Sequence, residues 1–142
     1  MSTPSELNDI EEGLTFRPKF DAAGLVTCVA TDAATSEVLM VAHMNDEALR
    51  KTIASGEAWY YSRSRKSLWR KGETSGHVQR VVEMRMDCDQ DAVWIKVEQV
   101  GAACHTGRKS CFYRKVELAS GEPRLALVDG KRLFDPDKVY RK

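Results

Sequence analysis

The spacing of apolar and polar residues predicts that most of the chain folds into short β-strands. Residues 25–30 and 37–44 are two β-prone runs separated by a polar turn, which is the pattern of a β-hairpin. Val93, Ile95 and Val97 fall at every second position, which places them on one face of a strand. The predicted strands are residues 25–30, 37–44, 59–62, 78–86, 92–100 and 112–118, with a further small hairpin over residues 125–134 around Asp129 and Gly130.

One principal helix is predicted over residues 46–55. Asn45 is a residue type that caps helix N-termini, and Gly56 suits the left-handed position at which many helices end. Asp46 and Glu47 lie where the positive end of the helix favours acidic side chains. The apolar side of this helix is predicted to consist of Ala48, Leu49, Thr52 and Ile53. One helix among several strands predicts an α+β fold, mainly β, in a single compact domain of antiparallel strands and hairpins.

The chain has 142 residues, which is the length of one domain. Residues 1–13 are acidic and contain little that can pack, so they are predicted to be a flexible leader. Residues 14–142 are predicted to form the domain, without internal repeats and without a second domain after residue 142.

The charge balance excludes some classes of function. The chain has 22 basic and 21 acidic residues, a net charge of +1, whereas a general polyanion binder carries a strong basic excess. No apolar run reaches the roughly 18 residues that a membrane span needs, and the N-terminus lacks the features of a signal peptide. We therefore expect a cytoplasmic protein with reduced cysteines and with neither a nucleic-acid nor a membrane partner.

Residues 87–91 form an acidic cluster, Asp-Cys-Asp-Gln-Asp. In an extended chain Asp87, Asp89 and Asp91 would project to one side and Cys88 to the other. Three carboxylates on one face repel each other unless a cation joins them, and their hard oxygens suit Mg²⁺, Mn²⁺ or Ca²⁺. A polar hairpin tip without a metal is the alternative.

The cysteines divide into two groups. Cys28 lies in an apolar run and is predicted to be an ordinary core residue, whereas Cys88, Cys104 and Cys111 have polar neighbours. Three thiolates make an incomplete tetrahedral Zn²⁺ site with a position open to water, as in catalytic zinc sites. His105, next to Cys104, is a candidate fourth ligand or proton carrier. Because no Cys-x-x-Cys pair is present, three ordinary reduced thiols are the alternative.

A basic segment, predicted to be a loop up to His77, follows residue 62. Residues 60–80 contain six basic residues and one acidic residue, a local charge of +5. Alternating Arg and Ser supply guanidinium and hydroxyl donors suited to phosphate, and Trp69 is placed to stack on a base or to anchor the loop. A solvated basic surface is the alternative. The candidate substrate-binding residues are Ser62, Arg63, Ser64, Trp69, Lys71, Glu73, Ser75 and Gly76.

Five blocks make the chain, from about residue 20 to 115, resemble the phosphoribosyl-AMP cyclohydrolase family. They are residues 37–45, 62–65, 68–77, 87–91 and 103–112. Four positions depart from what is usual in that family. Ser36 and Gln90 stand where glycine is frequent, His43 where an aromatic residue is expected, and Ala102 where proline is frequent.

The resemblance implies two metal sites and a reaction. It implies one Mg²⁺ per subunit on Asp87, Asp89 and Asp91, and one Zn²⁺ per subunit on Cys88, Cys104 and Cys111. It also implies a homodimer in which each zinc site takes cysteines from both chains. The reaction is the opening of the adenine ring of 1-(5-phosphoribosyl)-AMP at the N1–C6 bond by a zinc-activated water, a step of L-histidine biosynthesis.

Two histidines are candidates for the proton transfer that this reaction needs, His105 and His77, because an ordinary histidine titrates near pH 6.5. The alternative function is a zinc-stabilised module that binds nucleic acid through its basic loop. Such a module would need a basic surface well beyond one loop and four zinc ligands, and the net charge of +1 argues against it.

Overall fold

The first two strands form the predicted hairpin. The computed structural model of the chain describes residues 10–119, 121–128, 131–133 and 135–136. β1 (Val26–Asp32) and β2 (Val38–Met44) pair antiparallel. The turn between them is closed by the Asp32 carboxylate, which accepts hydrogen bonds from the backbone N–H groups of Ala34 and Thr35 at 2.8 and 3.1 Å.

β1 also lies beside β6, and this pairing builds the main sheet. β5 (Gln79–Met86) and β6 (Ala92–Gln99) form a second antiparallel hairpin, and the strand order is β2-β1-β6-β5. β1 and β6 run parallel, which differs from the predicted antiparallel arrangement because they are joined through a long intervening segment rather than a tight turn. The fold class is confirmed. The alternating Val93, Ile95 and Val97 are buried as predicted, and so is Cys28.

The predicted helix is present as α1 (Asp46–Ser55). The Asn45 side chain accepts a hydrogen bond from the Ala48 N–H, and Gly56 ends the helix with φ 75°, so both predicted caps are confirmed. Ala48, Leu49 and Thr52 face the core, but the prediction for Ile53 was wrong, since 53% of its surface is exposed. The helical turn rotates Ile53 past the edge of the narrow buried face.

The basic segment predicted as a loop contains a strand. β3 (Trp59–Ser62) pairs antiparallel with β4 (Ser67–Arg70), so residues 63–66 are a hairpin turn. Leu68 and Trp69 are partly buried against the core, and the ring centroids of Tyr60 and Trp69 lie 5.0 Å apart. This packing stabilises a strand that the surrounding charged residues obscure in the sequence.

The last described strands are short. β7 (Arg114–Val116) occupies the middle of the strand predicted over 112–118, and it pairs antiparallel with β8 (Leu125–Leu127). The turn predicted at residues 129–130 lies outside the described residues, as do residues 1–9 of the predicted leader. Within the described ranges, no helix has the length and apolar character needed to cross a membrane.

Candidate functional site

A cleft of about 320 Å³ brings together six of the predicted site residues. It opens between the end of β4, the loop of residues 71–75 and the segment 103–111. The predicted residues that line it are Trp69, Lys71, Glu73, Ser75, His105 and Cys111. Residues about 40 positions apart in the sequence therefore share one cavity.

Lys71 joins the two sides of this cleft. Only 7% of its surface is exposed, and its Nζ donates a hydrogen bond to the buried Ala103 carbonyl. Burial lowers the pKa of Lys71, while the neighbouring Cys111 and Cys104 thiols act in the opposite direction. Lys71 is thus a buried cation beside two thiols that also lines the cleft, and its role in substrate binding stays a prediction.

Gly72 allows the chain to turn sharply after Lys71. Its φ is +89°, and an added Cβ would lie 2.5 Å from the Val78 backbone nitrogen, so a side chain cannot be accommodated there. A hydrogen bond of 2.8 Å from the Gly76 N–H to the Gly72 carbonyl closes the turn. This compact loop presents Glu73 and Ser75 to the cleft.

Cys104 and Cys111 are brought together by a short loop. The Cys104 N–H donates to the Arg108 carbonyl at 3.2 Å, and the Cys111 N–H donates to the Leu39 carbonyl at 2.7 Å. Burial, and to a smaller extent the adjacent Cys104 thiol, raise the pKa of Cys111 to about 12. Zn²⁺ binds cysteine as the thiolate and stabilises neighbouring thiolates that it ligates, so this pair of thiols fits Zn²⁺ by its chemistry.

Cys88 is not part of this pair. It lies exposed in the turn before β6, whereas Cys104 follows β6, and the eight residues of that strand alone span roughly 25 Å. Cys111 is held at the far end of the sheet by its bond to Leu39. Among the residues that the structure describes, no three His, Cys, Asp or Glu side chains of one chain form a metal-binding group.

The acidic cluster is a tight turn, so the predicted extended conformation was wrong. Residues 87–91 connect β5 to β6, and the Asp87 carboxylate accepts hydrogen bonds from the N–H groups of Asp91 and Ala92 at 3.0 and 3.3 Å. A hydrogen bond to Asp87 raises the pKa of Asp91, with the Asp87 and Asp89 charges adding to the effect. The turn therefore brings the Asp87 and Asp91 carboxylates within hydrogen-bond distance of each other, although the three aspartates do not alternate along a strand.

A second cleft, of about 630 Å³, adjoins the first. It contains the predicted residues Ser62, Arg63 and Ser64, and it shares Arg65 and Trp69 with the smaller cleft. The two clefts lie side by side along β2, because Met40 lines the smaller cleft and Ala42 and His43 line the larger one. Burial lowers the pKa of His43, and the charge of Arg63 lowers it further.

Of the candidate catalytic and substrate-binding residues, two lie outside the lining of both clefts, namely His77 and Gly76. The His77 ring packs against Gly101, where an added Cβ would lie 2.7 Å from its Cδ2 atom. The sequence interpretation missed Arg65, although this residue continues the same Arg/Ser alternation as Arg63. That alternation was the signal that identifies it.

Comparison with known proteins gives a consistent family assignment. The family model described as phosphoribosyl-AMP cyclohydrolase matches residues 40–113. The phosphoribosyl-AMP cyclohydrolase of Bradyrhizobium diazoefficiens is 77% identical over 95% of this chain and 96% of its own length. Those of Rhodopseudomonas palustris strain HaA2 and Nitrobacter hamburgensis are 76% and 73% identical, over 96% and 99% of this chain and 93% and 96% of their own lengths. The chain therefore belongs to the phosphoribosyl-AMP cyclohydrolase family.

Proposed function

We propose that this protein opens the adenine ring of 1-(5-phosphoribosyl)-AMP by hydrolysis of the N1–C6 bond, as a step of histidine biosynthesis. The family name supplies the substrate class. The observation that carries the chemistry is the position of His105 and of Cys111, the partner of Cys104. Both line a cleft that shares Arg65 and Trp69 with a second, arginine-lined cleft.

The two clefts suit a substrate with two phosphorylated arms. Arg63 and Arg65 offer guanidinium groups for phosphate, and the Ser62 and Ser64 hydroxyls add neutral donors. Trp69 borders both clefts, so its indole is placed to contact the ring between the two arms. We assign the ring to the Trp69 boundary and one phosphate to the larger cleft.

The donor sets fit the two metals that the family resemblance implies. Cys104 and Cys111 of one subunit, with Cys88 of a second subunit, would hold Zn²⁺, because Cys88 lies too far from the pair within one chain. Asp87, Asp89 and Asp91 would hold Mg²⁺ at the β5–β6 turn. When bound, zinc lowers the pKa of water at an open coordination position toward about 7, which supplies hydroxide at neutral pH.

His105 is the residue we assign to proton transfer. Attack at C6 is productive only if N1 gains a proton as the C6–N1 bond breaks. His105 lines the smaller cleft and is exposed to it, whereas the His77 ring packs against Gly101 outside this lining. His105 is therefore the better placed of the two candidate histidines to hold a proton for N1.

The test is a ring-opening assay that follows the adenine absorbance of phosphoribosyl-AMP, with and without a chelator. We expect the chelator to abolish turnover and His105→Gln to lower kcat by about 10²–10³-fold, while His77→Gln has a much smaller effect. Cys104→Ala is expected to lose both zinc and turnover, and Cys28→Ala, which removes a buried core thiol that lines neither cleft, is the matched control. Full turnover by Cys104→Ala would contradict the proposed chemistry, and salt-sensitive RNA binding without ring opening would favour the nucleic-acid-binding alternative.

A further inference from the structure

Gln90 occupies an unusual position in the turn that joins β5 to β6. Its φ is 58°, a left-handed conformation that favours glycine and is strained for a residue with a Cβ. Its side chain is nevertheless buried, with 6% of the residue surface exposed. A buried polar side chain on a strained backbone requires compensating contacts, and Gln90 has them.

The side-chain hydrogen bonds of Gln90 go to one segment near the start of the described chain, residues 10–19, which we call the N-terminal strap. The Gln90 Oε1 accepts a hydrogen bond from the Arg17 N–H at 2.8 Å. Its Nε2 donates to the carbonyls of Ile10 and Thr15, both at 3.2 Å. The Gln90 carbonyl accepts a further bond from the Lys19 N–H at 2.7 Å.

These bonds use both N–H donors of the primary amide and one of the two lone pairs of its oxygen. They also place the strap directly against the acidic turn. The N-terminal strap lines an open cavity of about 310 Å³ together with Met86 at the end of β5 and with Asp87, Cys88 and Gln90 of the turn. One side chain thus joins a segment more than 70 residues away to the turn that carries the proposed metal ligands.

We infer that Gln90 is a positioning residue, which clamps the N-terminal strap onto the turn and so fixes the geometry of Asp87, Asp89 and Asp91 for a divalent cation. The inference rests on the proposed role of these aspartates. Glycine at position 90 would relieve the backbone and keep the Lys19 bond, but it would remove the three side-chain bonds to the strap. Outer-shell groups that orient ligands in this way typically change metal affinity by about 10–100-fold when they are removed.

The test compares Gln90→Gly with Ser36→Gly. Ser36 is the matched control, because it lies exposed in the β1–β2 turn with φ 66°. Ser36→Gly therefore also relieves backbone strain at a left-handed position, but it removes no bond to the N-terminal strap. The probe is Mn²⁺, whose binding to metal-free protein is followed by electron paramagnetic resonance. Hydrogen exchange of residues 10–19 and the thermal midpoint are measured on the same samples.

For Gln90→Gly we expect the half-saturating Mn²⁺ concentration to rise about tenfold and exchange in the strap to accelerate. Ser36→Gly is expected to leave both unchanged. If wild-type protein and Gln90→Gly bind Mn²⁺ equally, or if only the thermal midpoint changes, the positioning role is overturned while the proposed function stands. If wild-type protein binds no Mn²⁺, or if Asp89→Asn binds it as well as the wild type, the proposed role of the aspartates fails and the inference fails with it.

Discussion

At the scale of single residues, Lys71 shows how burial changes what a basic side chain does. Its ammonium is bonded to the Ala103 carbonyl and lies 5.8 Å from the centroid of the Trp69 ring. The ammonium therefore contacts two groups of the protein, the Ala103 carbonyl and the Trp69 ring, in the absence of a substrate. A buried ammonium beside Cys104 and Cys111 also stabilises negative charge on their sulfurs.

Replacing Lys71 with methionine tests this structural and electrostatic role. Lys71→Met leaves the buried Ala103 carbonyl without its donor, which we expect to lower the free energy of unfolding by about 1–3 kcal/mol. We also expect zinc affinity to fall by about tenfold or more, because the thiolate pair loses a neighbouring cation. Urea denaturation and zinc competition with a chromogenic chelator measure the two effects.

The control for Lys71→Met is Lys115→Met, which removes an exposed lysine from β7. Its effect on unfolding is expected to stay within about 0.5 kcal/mol. Equal behaviour of the two variants would contradict the role assigned to Lys71.

At the scale of elements, the β1–β2 turn is connected to the loop that carries the two cleft cysteines. Lys109 Nζ lies 3.4 Å from an Asp32 carboxylate oxygen and 3.0 Å from a Glu37 carboxylate oxygen. Lys109 belongs to the segment between Cys104 and Cys111, so the turn supports the position of both thiols. Partial burial by itself would raise the pKa of Asp32, but the N–H groups of Ala34 and Thr35 and the Lys109 ammonium lower it below the usual 3.8.

This lowered pKa predicts how the support depends on pH. A carboxylate whose folded-state pKa is depressed stabilises the fold above its unfolded pKa, and the contribution is lost as the pH falls through the folded pKa. Asp32→Asn is therefore expected to be less stable than the wild type at neutral pH, with the difference shrinking below pH 3.8. Urea unfolding at several pH values on either side of 3.8 measures it, and a difference independent of pH would contradict the assignment.

At the scale of the whole molecule, the proposed metal ligands lie at opposite ends of the main sheet. Cys88 is in the turn before β6, and Cys104 and Cys111 lie beyond its other end. A complete set of three cysteines therefore requires two chains arranged so that one end of each sheet meets the other end of its partner. This geometry leads to a prediction that single variants cannot test.

Mixing two inactive variants should restore activity if each zinc site is shared between subunits. In a heterodimer of Cys88→Ser and Cys104→Ser, one site keeps all three cysteines and the other loses two. Random exchange of the two chains should therefore recover about a quarter of the wild-type activity. The assay is turnover after unfolding and refolding the equimolar mixture, with each variant refolded alone as the control. Absence of any recovery would contradict a shared site.

The sequence by itself determined the features that depend on close neighbours. The Asn45 and Gly56 caps fixed the limits of α1, and the alternation of Val93, Ile95 and Val97 identified the buried face of β6. These signals are local, since a cap or an alternating strand is specified within a few residues. The residue types of the metal and phosphate hypotheses were also visible in the sequence.

Only the tertiary structure decided which of those residues meet. It paired β1 with β6 in parallel, placed Lys71 beside Cys104 and Cys111, and left Cys88 at the other end of the sheet. It also turned the acidic cluster into a hairpin tip held by Gln90, through bonds to residues more than 70 positions away. Such contacts depend on how the strands pack. The residues in a short stretch of sequence do not determine the distance to another stretch that lies far away along the chain.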